Sequence, residues 1–526
     1  MNTVLLHSPA LIVGLPIFAA ILLMVVSRFG EKVRAVVFFA GIALASLAAI
    51  SLAEQVLSLG AVRYVFGAPS PAAPLVPPDS GGIPVRILFH VDAAGALMLL
   101  VAALTSVAAA LYALRSEERA SGREYFYPLF LLLVGGVYGM VATGDLFNFF
   151  VFLEITSLAG AALTAYRIDH GLAAEAGLKY AVVSTLGGLS FLLGVGILLA
   201  RHNLLNMAAL GARIDLAGFG VPEAVAMALM IVPLAMKCGA VPMHQWTPDT
   251  YSRAPAPVSA FLLVSSQASL YGLFRIGFSL FGLSMDVSTV GLFVVILAVL
   301  SMFIGVTMAI PQHDVKRLIS HHAVSQTGYM LLGAGVCLAV LGDPEKVRVF
   351  GRDALAGSLF HMMNYAVYNG LLFLAAGAVI YRTGTRNLDR MGGLGRTMPL
   401  TMACFGVGAL AIAGIPPMSG FASKWVLYES VFRYSPLLSM VAMVVSLLTL
   451  ASFVKVFQAM FLGPQRAAYA AVRDVPAAMW GAMAVLAVLT VLLGLFPDVV
   501  MQRLLLPAAD ALINQTAYTM PLGGAQ

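Results

Sequence analysis

Long apolar stretches separated by short polar segments recur along the whole chain of 526 residues. A helix needs about 20 predominantly apolar residues to cross the roughly 30 Å of hydrocarbon in a bilayer. The pattern therefore predicts about fourteen transmembrane helices. The predicted spans cover roughly residues 8–27, 33–55, 88–114, 124–142, 145–166, 172–200, 222–252, 255–281, 287–310, 315–341, 354–381, 398–431, 435–462 and 477–502.

Two of these spans are too long for one continuous helix and contain residues that interrupt helices. The seventh span would be about 46 Å long as continuous helix at 1.5 Å per residue, and Gly239 and Pro242 lie within it. The twelfth span contains Pro416 and Pro417. We therefore predict a broken helix at each place, with ordinary proline kinks as the alternative.

The two predicted breaks lie five spans apart, which indicates two inverted repeats of five helices. An odd number of helices per repeat makes the two halves face opposite sides of the membrane. The predicted division of the chain is 1–115 for the first three helices, 116–282 for the first repeat, 285–462 for the second repeat, and 463–526 for the last helix and the tail.

The composition agrees with an all-α polytopic membrane protein. The chain is 60% hydrophobic and 10% charged, with a mean hydropathy of +0.94, whereas soluble domains are about a quarter charged. The longest polar segment, at about 56–87, contains "GAPSPAAPLVPPDSGG" and is typical of an outside loop or cap. We predict a single transmembrane domain without an attached soluble catalytic domain.

The distribution of basic residues predicts the orientation in the cell membrane. The first span has no basic residue before it and is followed by Arg28, Lys32 and Arg34, the reverse of a secretory leader. More Lys and Arg fall in the loops assigned to the inside, so both termini are predicted outside. The inside set includes Arg167, Arg253, Lys316, Arg317, Arg386 and Arg390. The net charge of +6 is thus a topology signal and indicates no nucleic-acid partner.

No cofactor or metal site is predicted. Cys238, Cys337 and Cys404 lie far apart inside apolar spans, so neither a disulfide framework nor a cysteine-ligated cluster is expected. The chain also lacks the glycine-rich motifs of nucleotide-binding proteins. Redox chemistry of its own is therefore not expected, although the chain could belong to an oxidoreductase complex.

A few charged residues remain inside the predicted spans. Glu154 lies in "DLFNFFVFLEITSLAG", where an acidic residue costs roughly 2.5–3.5 kcal/mol at a helix centre. Lys237 and Lys424 each lie beside a predicted break. These three residues are candidates for function, whereas Arg275 and Lys455 stand nearer span ends and are expected to extend to the interface.

Four segments resemble the antiporter-like subunits shared by respiratory complex I, Mrp-type multisubunit cation/proton antiporters, their D-type subunit in particular, and membrane-bound hydrogenases. The segments occur in the order of that family and cover residues from about 90 to 462. They read "GDLFNFFVFLE", "KCGAVPMHQWTPDTYSRAPAPVSA", "HDVKRLISHHAVSQTGY" and "GIPPMSGFASKW". The resemblance implies fourteen helices with two inverted five-helix repeats, and proton translocation within a larger complex.

The resemblance also implies which residues carry protons. Glu154 matches the family's glutamate on the fifth helix, and Lys237 matches the lysine of the broken seventh helix that pairs with it. The remaining matches are Lys179, His322, His361 and Lys424. Isolated membrane histidines can instead serve as hydrogen-bonding groups between helices.

Three positions depart from the family pattern. Gln267 replaces a lysine of the eighth helix, and Tyr365 and Asn369 replace a histidine and a lysine of the eleventh. None of these side chains titrates near neutrality. They can bind water, but they cannot hold a positive charge.

Three functional interpretations follow. The first is a proton-translocating membrane subunit of a multisubunit cation/proton antiporter or energy-converting redox complex, with other membrane subunits as partners and protons, or sodium as well, as the transported ions. The second is a degenerate sister subunit that serves as scaffold or cation path. The third is a stand-alone secondary transporter of a small solute.

Overall fold

The chain folds into a bundle of helices in a computed structural model. The structure describes residues 6–26, 29–68, 86–116, 123–167, 171–282 and 284–519. Arg28 and most of the predicted outside cap lie outside the described residues. The helices are α1 Ser8–Val26, α2 Glu31–Leu59, α3 Ala93–Ser116, α4 Arg123–Ala142, α5 Leu146–Ala165, α6 Gly171–His202, α7 Met207–Ala217, α8 Val221–Lys237, α9 Trp246–Arg253, α10 Ala256–Phe274, α11 Val287–Ala309, α12 Val315–Ala339, α13 Arg352–Thr383, α14 Pro399–Ala413, α15 Ser419–Tyr434, α16 Pro436–Phe457, α17 Ala477–Leu495, α18 Leu506–Ile513 and α19 Gln515–Thr519.

Short segments complete the described chain. Helical turns lie at Pro344–Lys346 and Pro497–Val500, and 3₁₀ turns at Leu388–Arg390, Leu394–Arg396 and Ala467–Tyr469. Wider π-helical turns lie at Arg275–Leu280, Val347–Gly351, Gln458–Leu462 and Met501–Leu505. A two-stranded antiparallel hairpin, β1 Val62–Val65 and β2 Leu88–Val91, pairs Val62 with Val91 at the two edges of the predicted cap. The sequence predicted an outside loop or cap there, without strands.

Eleven helices in the described part of the chain are long and apolar enough to cross a membrane. Both predicted interruptions are present, because α8 ends at Lys237 before α9, and α14 ends at Ala413 before α15. The polar α12 and the two pairs of half-helices are not among the eleven. The all-α membrane class is therefore confirmed.

Burial separates a central layer from a lipid-facing layer. Nearly every residue of α10, α12 and α13 is buried. Leucines on α6 face outward instead, with Leu186 64% and Leu193 59% exposed. Since apolar side chains are favoured against lipid, the polar groups of the spans collect in the centre of the bundle.

Candidate functional site

The first helix break places Lys237 at the C-terminal end of α8. Gly239 follows with a φ of +81°, a left-handed conformation that favours glycine. The backbone groups freed by the break are bonded from neighbouring elements: the Trp246 indole donates to the Met236 carbonyl over 2.9 Å, and the Thr327 hydroxyl donates to the Cys238 carbonyl over 3.2 Å. Irregular backbone in a membrane requires such partners.

Lys237 faces two side chains of α5. Its Nζ lies 3.8 Å from Glu154 Oε1 and donates a short hydrogen bond to the Ser157 hydroxyl. Lys237 is 5% exposed and the Glu154 side chain 22%, so the pair is close to but not sealed within the core. Glu154 and Ser157 are three residues apart on one helix face. The predicted proximity of Glu154 and Lys237 is present in the structure, whereas nothing in the sequence marked Ser157.

The second break holds Lys424 in a different way. Lys424 is 1% exposed and lies in the second half-helix, α15. Its Nζ donates to the Ile412 carbonyl at the end of α14 over 2.8 Å and to the Ser446 hydroxyl over 2.9 Å. It also lies 4.8 Å from the ring centroid of Tyr329. Among the described residues, no carboxylate lies within 4 Å of it, so this ammonium depends on neutral oxygens and a ring face.

His361 lies on α13 in the central layer, beside the half-helix that carries Lys424. Its Nδ1 lies 3.0 Å from the hydroxyl of Ser423, the neighbour of Lys424. Its Nε2 lies 3.1 Å from Gln326 Oε1, and the Tyr368 hydroxyl donates to the same oxygen over 3.2 Å. His361, Ser423, Gln326 and Tyr368 therefore form one buried hydrogen-bonded group, the His361 group.

The other candidate residues occupy two separate places. His322 Nε2 lies 2.9 Å from the Ser452 hydroxyl, which fits the alternative of a bond between helices. Lys179 is at the surface, half exposed, and forms ion pairs with Glu175 at 2.7 Å and Asp249 at 3.0 Å. Lys179 thus pairs with Glu175 and Asp249, whereas Lys237 lies beside Glu154.

The three positions that depart from the family pattern lie in the central layer. Gln267 is 2% exposed, Tyr365 2% and Asn369 0%. The Gln267 amide donates to the Met362 carbonyl over 2.5 Å, while its oxygen has no hydrogen-bond partner among the described protein atoms. The ring of Tyr365 lies 6.4 Å from that of Tyr368. Gln267 on α10 thus bonds to α13 next to His361, and Tyr365 contacts Tyr368, whereas neither polar atom of the Asn369 amide has a hydrogen-bond partner among the described protein atoms.

Buried aromatic residues continue from the central layer toward α5, the helix that carries Glu154. Tyr251 forms a short hydrogen bond with Ser266, and its ring lies 6.1 Å from that of Phe373 on α13 and 5.8 Å from that of Trp246. Trp246 stacks on Tyr180 at 4.7 Å, and Tyr180 packs against Gly160 on α5. No sequence signal marks this line, because a tyrosine in an apolar span resembles ordinary core.

Two buried histidines were also missed. Both ring nitrogens of His244 and of His321 are buried without a hydrogen-bond partner among the described protein atoms. His244 lies in the first break and His321 precedes His322, and those positions were the available signals.

Arg275 does not extend to the interface as expected. It is 4% exposed, forms a short ion pair with Asp92, and lies 5.2 Å from the ring centroids of Tyr271 and Tyr518. The expectation was wrong because Asp92, 183 residues away, supplies a buried counter-charge. Lys455 is exposed and donates to the Ile310 carbonyl over 2.6 Å, as an interfacial lysine does.

Comparison with known proteins identifies the family. The family model for the transmembrane region of the NADH:quinone oxidoreductase and Mrp antiporter proteins matches residues 143–449. The chain belongs to this family. It is 34% identical to the N-type subunit of the NADH-quinone oxidoreductase of Desulforudis audaxviator over 519 residues, covering 95% of this chain and 98% of the relative. It is 32% identical to the D-type subunit of the Na(+)/H(+) antiporter of Alkalihalophilus pseudofirmus over 443 residues, covering 83% and 85%.

A solved structure of the family has the same fold. A chain of the Mrp complex from Dietzia sp. DQ12-45-1b superimposes with a TM-score of 0.84 at 27% identity, and the match covers 100% of both chains. Among the described residues of this family member, no group of three or more His, Cys, Asp or Glu could hold a metal ion.

Proposed function

We propose that this chain translocates protons across the cell membrane as one subunit of a multisubunit cation/proton antiporter or energy-converting redox complex. The observation that carries the proposal is the 3.8 Å separation of Lys237 Nζ and Glu154 Oε1 at a helix break. Moving a carboxylate toward or away from a buried ammonium changes how tightly each group holds its proton. A break gives the backbone a place where such movement can occur.

The proposed route joins the two lysines. Glu154 and Lys237 would load the proton in the first half, and Lys424 with His361 would release it in the second. Buried polar side chains would pass the proton between the two halves by hydrogen bonds. They are the buried tyrosines, including Tyr365, and the amides of Gln267 and Asn369. Lys179 is proposed as the group at which protons enter from the surface. His322 is proposed as a side branch of the proton route.

The finer architecture that we propose has fourteen crossings. Eleven single helices, the polar α12, and the two interrupted pairs α8–α9 and α14–α15 together give that number. An even number of crossings places both termini on one side, which the distribution of basic residues assigns to the outside. The division into repeats at 116–282 and 285–462 is part of the same proposal.

Matching backbone bridges support the inverted repeats. Asp145 caps α5 and forms a bridge with Asn206, which follows α6. Asp314 caps α12 and forms a bridge with Asn387, which follows α13. In the proposed topology the first bridge lies on the outside and the second on the inside. One local structure at opposite membrane faces is what a five-helix inverted repeat requires.

The partners follow from the names of the relatives. One is a chain of an Mrp complex and another belongs to an Na(+)/H(+) antiporter. For this chain we propose other membrane subunits as partners and protons, or sodium as well, as the transported ions. A scaffold role is the second candidate, favoured by the neutral side chains of Gln267, Tyr365 and Asn369, which cannot transmit a charge.

The test is proton transport by the assembled complex in membrane vesicles. Glu154→Gln keeps the shape and removes the charge, and Lys237→Ala removes the base. Each is expected to abolish transport while assembly continues, and Lys455→Ala serves as the lysine control with normal transport. Normal transport in either site variant would contradict the proton-translocating role and favour the scaffold. Transport by the purified chain alone would favour a stand-alone transporter.

A further inference from the structure

A cavity of about 600 Å³ with a basic lining opens at one face of the bundle. Its walls come from the ends of α3, α5, α9 and α13 and the beginnings of α6, α10 and α12. Arg167, Arg253, Lys316 and Arg386 line it, and no acidic residue stands among its described lining residues. All four cations belong to the face that the positive-inside rule assigns to the inside.

Like charges are held close together around this cavity. Burial and the neighbouring charge of Arg253 lower the pKa of the Arg386 guanidinium, while Asp314 opposes that effect. The Asp314 carboxylate lies 3.6 Å from Arg386 Nε, but it also accepts hydrogen bonds from the backbone of Lys316 and Arg317 as the cap of α12. One carboxylate thus faces two guanidinium groups, Arg386 and Arg253, so these three side chains together keep a net positive charge.

The Lys316 ammonium is fixed at the cavity wall. It donates to the Ser259 hydroxyl over 2.9 Å and, by a short hydrogen bond, to the Ala254 carbonyl. Its Nζ also lies 5.8 Å from the ring centroid of Phe373. Lys316 and Arg386 belong to the proposed second repeat and Arg253 to the first, so an occupant of the cavity would contact both.

Apolar side chains form another part of the wall and reach the outer surface of the bundle. Leu172, Pro255 and Ile380 line the cavity, and Leu172 is 57% exposed. A basic head-group site with an apolar wall open to lipid suits an amphipathic anion. Its volume falls within the roughly 300–1,000 Å³ of small-molecule sites.

We propose that this cavity binds the phosphate group of an anionic molecule, and that the occupant is an anionic glycerophospholipid of the inner leaflet. Guanidinium groups bind phosphate oxygens through paired hydrogen bonds. The inference goes beyond proton translocation and uses none of the residues of the proposed route. A free phosphate ion is the other source of the same chemistry.

The test is native mass spectrometry of the full-length chain in detergent, titrated with short-chain phosphatidylglycerol, short-chain phosphatidylcholine or inorganic phosphate. The wild type is expected to prefer phosphatidylglycerol. The double variant Arg253→Gln/Arg386→Gln should bind it about thirtyfold more weakly, since each basic residue near an anionic lipid contributes about 1 kcal/mol. Arg390→Gln is the matched control, because Arg390 is an exposed arginine of the same predicted face outside the cavity.

Each outcome decides between the alternatives. Equal binding of phosphatidylglycerol by the wild type and the double variant would overturn the proposal, as would equal binding of the two lipids by the wild type. Binding of inorganic phosphate that the double variant loses, without lipid binding, would retain the phosphate site and overturn the lipid as its occupant. If the double variant does not fold, Arg253→Lys/Arg386→Lys keeps the charges and is expected to lose only part of the affinity.

Discussion

The carboxylate of Glu154 lies directly against the backbone of Gly188 on α6. A Cβ added at Gly188 would overlap Glu154 Oε1, so only glycine leaves room for the carboxylate in its present position. The absence of a side chain at Gly188 therefore makes room for Glu154 beside Lys237 on α8. It also makes the geometry of the ion pair testable without altering either charge.

We expect Gly188→Ala to displace Glu154 and to reduce proton transport by the assembled complex about tenfold or more, which is a change of about 1.4 kcal/mol or more in the barrier. Vesicle acidification measures it. Gly196→Ala is the control on the same helix, because a Cβ there has nothing within 4 Å. Equal transport by the two variants would show that the position of Glu154 is not critical.

Ser157 is expected to hold the Lys237 ammonium in place. Ser157→Ala removes a hydrogen bond to a buried charged group, which costs about 1.5–3 kcal/mol. A lower melting temperature and slower transport should result. Thr164→Val on the same helix removes only a bond to the Gly160 carbonyl one turn away and serves as the control. An unchanged melting temperature in Ser157→Ala would argue against this bond.

Tyr368 is expected to carry protons between the buried amides of Gln267 and Asn369 and the ring of His361. Tyr368→Phe keeps the buried ring and removes the hydroxyl that reaches Gln326 and His361. We expect slower transport with little loss of stability. Tyr138→Phe removes a buried hydroxyl bonded to Ser46 instead, and should leave transport unchanged. The line of tyrosines would be excluded as a route if Tyr368→Phe transported at the normal rate.

Gln267→Lys tests whether the central layer of the bundle tolerates a buried positive charge at this position. The new ammonium could donate to the Met362 carbonyl that the Gln267 amide now uses. We expect the Gln267→Lys variant to fold. In this background, Lys237→Ala should affect proton release at Lys424 more strongly than it does in the wild type. Adding Asn369→Lys should strengthen this effect. Gln267→Met is the neutral control of similar size. A loss of several kcal/mol in stability would instead indicate a dry core and favour the scaffold role.

The Asp92–Arg275 pair is expected to stabilise the fold. Removing one partner of a buried ion pair leaves an uncompensated charge and costs about 3–5 kcal/mol. Asp92→Ala should therefore lower the melting temperature strongly, and Asp92→Ala/Arg275→Met should recover much of the loss. Additive losses in the double variant would mean that the two side chains do not depend on each other.

Much of the fold is a local property of the sequence. The length of apolar stretches is set by the thickness of the hydrocarbon, so the single helices could be predicted from composition alone. The breaks before Trp246 and after Ala413 were predictable as well, because glycine and proline act on the backbone within one turn. Glu154, Lys237 and Lys424 were visible as candidates because a charge in an apolar span is costly wherever it lies.

What the candidate residues contact depended on the tertiary structure. Arg275 is buried because the fold places Asp92 beside it, and Lys316, which the sequence assigned to an inside loop, is buried because Ala254 and Ser259 receive its ammonium. In the sequence, Ser157 and the buried tyrosines resemble ordinary residues of membrane helices. Their roles depend on the neighbours that packing gives them, such as the Lys237 ammonium beside Ser157. Such contacts join residues far apart in the chain, and a periodic pattern of apolar residues carries information only about neighbours on one helix.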